Sequence, residues 1–177
     1  MKNFFTYIWL IITFFIIYFL QSNFFSWFTI GGIKPNLFIL LVVVIGLFAG
    51  KNLGLIFGIL FGFLLDIYLG RSIGTSALMF GIIGWFAGYI DKNFSKEGRI
   101  TIMLIMAIST FFFEIGKYGI ECIIYKMTFE IKAFFQIIGI EILFNTLITI
   151  IIYPLIVKFG YSIEDTIKDK NIMTRYF

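Results

Sequence analysis

Residues 54–66 read GLIFGILFGFLLD, an apolar run in which glycine recurs at every fourth position and a single acid ends the series. The same spacing begins earlier, at Gly46 and Gly50. Residues four apart lie on one face of a helix, where small side chains let a second backbone approach closely. We expect this face to pack inside the fold rather than form a dimer. An ionisable residue in an apolar segment is costly to bury, which makes Asp66 a candidate functional residue.

The composition predicts an integral membrane protein. The chain has 177 residues, of which 60% are hydrophobic and 14% are charged, and its mean hydropathy is +1.02. Soluble domains are about half apolar and about a quarter charged. We therefore expect one all-α bundle within the membrane and no separate soluble domain.

The sequence also excludes several classes of enzyme. Histidine is absent and Cys122 is the only cysteine, which removes the usual general base, the commonest metal ligands and any intrachain disulfide. Neither a phosphate-binding loop nor a zinc-protease motif occurs. We expect no catalytic residue, metal or cofactor. The net charge of +4 reflects membrane orientation, not nucleic-acid binding.

Six apolar runs predict a compact bundle of about six transmembrane helices over residues 1–160, with a cytoplasmic tail at 161–177. Pro35 suits the first position of the second helix. Gly160 is expected to end the bundle, and Ser162 with Asp165 to cap a short C-terminal helix. The second run is short for a span, so a re-entrant hairpin of runs two and three stays open. The runs are Phe4 to about Phe28, Asn36–Gly50, Leu53–Leu69, Gly74–Ile90, Ile100–Tyr125 and Ala133–Val157.

Lysine and arginine in the loops predict that both termini are cytoplasmic, because cytoplasmic loops are enriched in these residues. That orientation places nine of them inside and four outside. The inner set is Lys2, Lys51, Lys92, Lys96, Arg99, Lys158, Lys168, Lys170 and Arg175, and the outer set is Lys34, Arg71, Lys126 and Lys132.

Ionisable residues from three helices are expected at a similar depth. At about 1.5 Å of rise per residue, Asp66, Glu114 and Glu141 lie roughly 18–21 Å from the inner face. The predicted intramembrane cluster consists of Asp66, Glu114, Lys117, Glu121, Glu141 and Asn145. We expect it to form an outward-opening polar seam walled by the third, fifth and sixth helices. Three roles stay open: fixing helix register, docking a partner protein, or binding a small molecule or proton.

Three segments carry a resemblance to a known family. They read KPNLFILL at 34–41, GLIFGILFGFLLD at 54–66 and LGRSIGTSAL at 69–78. Together they resemble the MreD family, the small integral-membrane component of the bacterial rod-shape system. The residues that the resemblance points to for partner binding or helix packing are Pro35, Gly54, Gly58, Gly62, Asp66, Gly70, Arg71 and Gly74.

The resemblance implies a non-enzymatic scaffold in the bacterial cytoplasmic membrane. MreD-like proteins associate with MreC, which has a single span, and act with MreB, RodA and a class B penicillin-binding protein in cell-wall elongation. The family is also similar in fold to the substrate-binding membrane subunits of energy-coupling-factor transporters, whose ligand pocket opens outward. The alternative function is therefore that of a small-molecule-binding subunit of such a transporter.

Overall fold

Six α-helices form a single bundle in the computed structural model, which describes residues 2–69, 72–90, 98–128 and 130–173. The described residues confirm the predicted all-α fold. The helices are α1 (Lys2–Phe19), α2 (Leu37–Ala49), α3 (Lys51–Leu69), α4 (Thr75–Ile90), α5 (Arg99–Tyr125) and α6 (Ile131–Met173). A π-helical turn, Leu20–Phe24, extends α1.

Four of these helices are long and apolar enough to cross a membrane, which confirms a membrane protein. The segments are Phe4–Phe24, Lys51–Tyr68, Arg99–Tyr125 and Ile131–Ile167. Helices α2 and α4 are shorter, with 13 and 16 residues. At about 1.5 Å per residue they are roughly 20 and 24 Å long, against a hydrocarbon core of about 30 Å.

Helix α2 is the centre of the bundle. It contacts all five other helices, and every residue from Leu37 to Phe48 is buried. Its sequence, LFILLVVVIGLFA, is apolar on all sides, as expected for a helix that protein surrounds completely.

Aromatic side chains join α1 to α3. The rings of Phe14 and Phe61 stack with centroids 4.7 Å apart. Tyr7 packs near Phe57 at one end of this contact, and Tyr18 packs near Tyr68 at the other. The two helices therefore run in the same direction.

The bundle has two ends, which we name after Lys51 and Asp66. Gly50, at a φ of +94°, makes the turn from α2 to α3, because glycine alone adopts such a φ freely. At this Lys51 end, Phe48 packs against Gly160 and Tyr161 of α6. The start of α1 and the later part of α6 thus share the Lys51 end, whereas α2 and α4 begin at the Asp66 end.

Two predicted helix ends are wrong. Helix α6 continues through Gly160 to Met173, because Gly160 packs against the ring of Phe48 and the next turn buries Ile163. No separate capped helix begins at Ser162. At the start of α2, Pro35 precedes the N-cap residue Asn36 and so lies outside the first helical position. The division at residue 160 into bundle and tail stays a prediction.

Candidate functional site

The glycine face of α3 packs directly against the backbone of α4. A Cβ atom on Gly54, Gly58 or Gly62 would overlap backbone atoms of Gly84, Phe80 or Ala77, respectively. Glycines of α4 make the same kind of contact with the backbone of α3: a Cβ on Gly84 would overlap Gly54, and one on Gly88 would overlap Lys51.

Gly46 of α2 meets the same part of α4, at Gly84 and Ala87. Contacts run from one end of α4 to the other, so the α2–α3 hairpin crosses the whole bundle. This geometry favours a crossing hairpin over a re-entrant one. It also means that the glycine face is covered, and a partner helix would have to bind elsewhere.

Asp66 caps the start of α4. Its carboxylate accepts hydrogen bonds from the backbone N–H groups of Gly74 at 2.8 Å, Ser76 at 3.1 Å and Ala77 at 3.3 Å. The side chain is only 4% exposed. The first N–H groups of a helix have no partner within it, and a negative charge there also interacts favourably with the helix dipole. Water cannot reach this buried helix start, so the Asp66 carboxylate supplies the hydrogen-bond acceptors that water would otherwise supply.

The start of α2 is capped from two other helices. Gln21 in the π-helical turn accepts a hydrogen bond from Leu37 N–H at 3.0 Å. Asn145 of α6 accepts one from Asn36 N–H at 2.7 Å and donates its own N–H to Thr110 of α5 at 3.1 Å. Asn145 thus joins three elements through one amide group.

A cavity of about 300 Å³ opens between α5 and α6. Its polar lining consists of Glu114, Lys117, Glu121, Glu130 and Tyr118. At one wall the rings of Tyr118 and Phe134 stack 4.6 Å apart. The cavity is thus lined by three acids and one lysine.

Glu141 of α6 is buried, and its carboxyl group lies close to that of Glu114 on α5. Two acids from different helices therefore meet between α5 and α6.

The predicted polar cluster divides into three separate groups. Glu114, Lys117, Glu121 and Glu141 lie together between α5 and α6. The Asn145 amide accepts a backbone hydrogen bond at the start of α2, and the Asp66 carboxylate does so at the start of α4. The expectation that α3 would wall the seam is wrong, because α3 packs on α4 and α2 and has no substantial contact with α5 or α6.

Two further predicted site residues lie just before the starts of α2 and α4. Pro35 is buried beside the start of α2, and Gly74 has a φ of +99° at the turn into α4. Gly70 and Arg71 lie outside the described residues. The sequence reasoning missed Gln21, although an amide inside an apolar run is a usable signal. It also missed Tyr118 and Glu130, which only the packing of α5 on α6 brings to the cavity.

The fold and these sites define a helical integral membrane protein whose buried polar groups mostly cap or join helices. Among the described residues, no group of three histidine, cysteine or acidic side chains could hold a metal ion. The family model for rod shape-determining protein MreD matches residues 2–162. The chain belongs to the MreD family. No match was found among curated proteins or solved structures, so the similarity to transporter subunits stays a prediction.

Proposed function

We propose that this chain is the membrane scaffold of the bacterial cell-elongation machinery and that it binds MreC. The observation that carries the proposal is the family match over residues 2–162, which implies a role in determining rod shape. In this proposal the chain has no catalytic activity of its own. It lies in the cytoplasmic membrane with both termini inside, and it joins MreB, RodA and a class B penicillin-binding protein through the complex.

The bundle is suited to this role. Its α3–α4 interface and both short helices are fixed by backbone contacts and long-range hydrogen bonds. A rigid membrane bundle gives a partner a preformed surface, which lowers the entropy lost on binding. By contrast, α1 has only 11% of its spanning window buried, so much of its surface is free for lipid or protein.

The test is co-purification from a membrane. The affinity-tagged chain is co-expressed with MreC, extracted in mild detergent and analysed by size exclusion and mass photometry. We expect a stable complex with fixed stoichiometry. A control MreC carries an unrelated transmembrane helix of equal length. Loss of MreC from the wild-type sample, or equal recovery of the control, would contradict the proposal.

A second candidate function rests on the cavity between α5 and α6, which has polar groups and an aromatic pair at about 300 Å³. Pockets of this size and above hold small molecules in other proteins. The cavity supports a small-molecule-binding subunit of an energy-coupling-factor-type transporter. Mass spectrometry of solvent extracts from the same purified sample separates the two functions. A stoichiometric small molecule that disappears in Glu114→Gln, without any MreC, would favour the transporter subunit.

A further inference from the structure

A second and larger cavity, of about 820 Å³, is an open groove between α1 and α6. Leu10 and Ile16 of α1 form one wall, and Ile152 and Leu155 of α6 form the other. Leu41 and Val44 of the central helix α2 form the floor. We name this feature the α1–α6 groove. Its lining is almost entirely apolar, apart from a few hydroxyl groups and Lys158.

The length of the α1–α6 groove matches that of one transmembrane helix. On α1 it runs from Thr6 to Phe25, which at about 1.5 Å per residue is roughly 29 Å. This equals the full thickness of a hydrocarbon core of about 30 Å. One transmembrane helix covers the whole groove, whereas lipid would need one tail from each of the two leaflets to do so.

Contacts on the far side of α1 hold one wall of the groove in place. Its α1 wall is held from behind by α3, through the stack of Phe14 on Phe61 and the contact of Tyr7 with Phe57. The floor is the most buried helix of the bundle. A partner helix therefore meets a preformed surface that receives side chains at positions i, i+4 and i+7.

The polar groups of the groove are not spread evenly. Thr6, Lys158 and Ser162 all line it near the Lys51 end, and Thr13 bonds the carbonyl oxygen of Trp9 in its own helix. The Asp66 end is lined by apolar groups, such as Leu20, Phe24 and Leu37. A matching helix is apolar over most of its length and carries polar side chains where it leaves the membrane at the Lys51 end.

We propose that the α1–α6 groove is the docking site for the single transmembrane helix of the partner. This inference rests on the proposed function, and it names the surface at which that partner binds. The glycine face of α3 is excluded as this surface, because α4 already covers it.

The test is site-specific photo-crosslinking in cells that co-express MreC. Benzoylphenylalanine replaces Ile16 or Leu155, which line the groove and are 52% and 64% exposed. Matched controls are Phe15 and Ile150, which are 47% and 46% exposed and lie outside the groove lining. All four side chains are about half exposed or more, and at Phe15, whose ring meets that of Phe14 edge-on, the replacement keeps an aromatic ring. We expect crosslinks to MreC at Ile16 and Leu155 and none at the controls.

A second pair of variants measures binding instead of proximity. Leu155→Trp fills the groove and is expected to lower MreC recovery about tenfold, as substitutions at the centre of an interface do. Ile150→Trp adds the same bulk elsewhere on α6 and should leave recovery unchanged. Thermal melting of both variants in detergent shows that each bundle is folded.

The outcomes are distinct. Crosslinks to MreC at the control positions, or lipid adducts alone at Ile16 and Leu155 while MreC still co-purifies, would overturn the groove as docking site and leave the proposed function standing. Absence of any MreC complex with the unmodified chain would overturn both.

Discussion

At the scale of single residues, Asp66 shows how an acid can be buried at low cost. Three backbone N–H groups at the start of α4 point at one carboxylate. Both the acid and the helix start would be costly to bury alone, because each would lack a hydrogen-bond partner. Buried together, they satisfy each other. The burial of Asp66 is explained by this cap without a ligand.

Replacing Asp66 by alanine should destabilise the bundle, because it leaves buried N–H groups without an acceptor. Each such group costs about 1–3 kcal/mol. Asp66→Asn keeps one acceptor oxygen and should lose less. The measurement is thermal or denaturant-induced unfolding of the purified chain in detergent. Asp165→Ala, at an exposed acid in α6, is the control. Equal stability of the Asp66 and Asp165 variants would refute the capping role.

The sequence revealed only part of this residue-scale picture. Asp66 was identifiable as an unusual buried acid, because the apolar run around it is unambiguous. Its partners were not identifiable, because they are backbone groups eight to eleven residues further along the chain. For Asn145 the partner is 109 residues away. Helical spacing predicts that Asn145 lies one turn from Glu141 on the same face, but it does not specify which neighbour a side chain contacts.

At the scale of helices, the contact of α3 with α4 is made by glycines on both sides. In a membrane the hydrophobic effect does not drive helices together, so close packing and hydrogen bonds must do so. Gly54, Gly58 and Gly62 bring the two backbones into direct contact along nearly the full length of α4. The spacing of four predicted such a contact, and the structure identifies α4 as the helix that makes it.

Gly58→Ala should destabilise the chain, since its Cβ would overlap the backbone of Phe80. Backbone cannot move aside as a flexible side chain does, and overpacking typically costs about 1–3 kcal/mol. Gly119→Ala and Gly139→Ala are matched controls in α5 and α6, because no atom lies within 4 Å of the added carbon.

These controls should be neutral or stabilising by up to about 1 kcal/mol, because alanine favours helix more than glycine. Unfolding in detergent measures all three variants. Similar stability of Gly58→Ala and Gly119→Ala would show that α3 and α4 do not pack as described.

Helix bounds were predictable within a few residues where glycine, proline or charge interrupts the apolar runs. The failure at Gly160 has a physical cause. Glycine ends a helix when the chain beyond it gains nothing from staying helical. Here the ring of Phe48 fits against the Cα of Gly160, and the following turn packs Tyr161 and Ile163 on the bundle. Tertiary packing therefore outweighs the local preference.

At the scale of the whole molecule, the packing of the helices determines which helix ends lie at the same end of the bundle. The start of α1, the α2–α3 turn and the later part of α6 share the Lys51 end of the bundle. We predict that this is the cytoplasmic end, because the predicted inner set holds nine lysine and arginine residues against four in the outer set.

Cysteine labelling in intact cells tests this orientation. In a Cys122→Ser background, Met127→Cys between α5 and α6 should react with a membrane-impermeant maleimide added outside. Lys51→Cys should react only after the membrane is permeabilised. A crossing α2–α3 hairpin predicts that Lys51 and Met127 lie on opposite sides of the membrane, and the nine-to-four charge bias predicts that Lys51 is inside. Labelling of Lys51→Cys from outside would reverse the orientation or indicate a re-entrant hairpin.

The burial of α2 has a consequence for the order of assembly during synthesis. Helix α2 is too short to span a bilayer alone, and it leaves the ribosome before α3, α4, α5 and α6 exist. Its first turn gains the acceptor Asn145 only after 109 further residues have been made. Until then Asn36 lacks the hydrogen bond that suits it to the bilayer interior. A nascent chain that stops before α6 therefore has Gln21 as acceptor for the Leu37 N–H but no acceptor for the Asn36 N–H, so the start of α2 is fully capped only once α6 has been made.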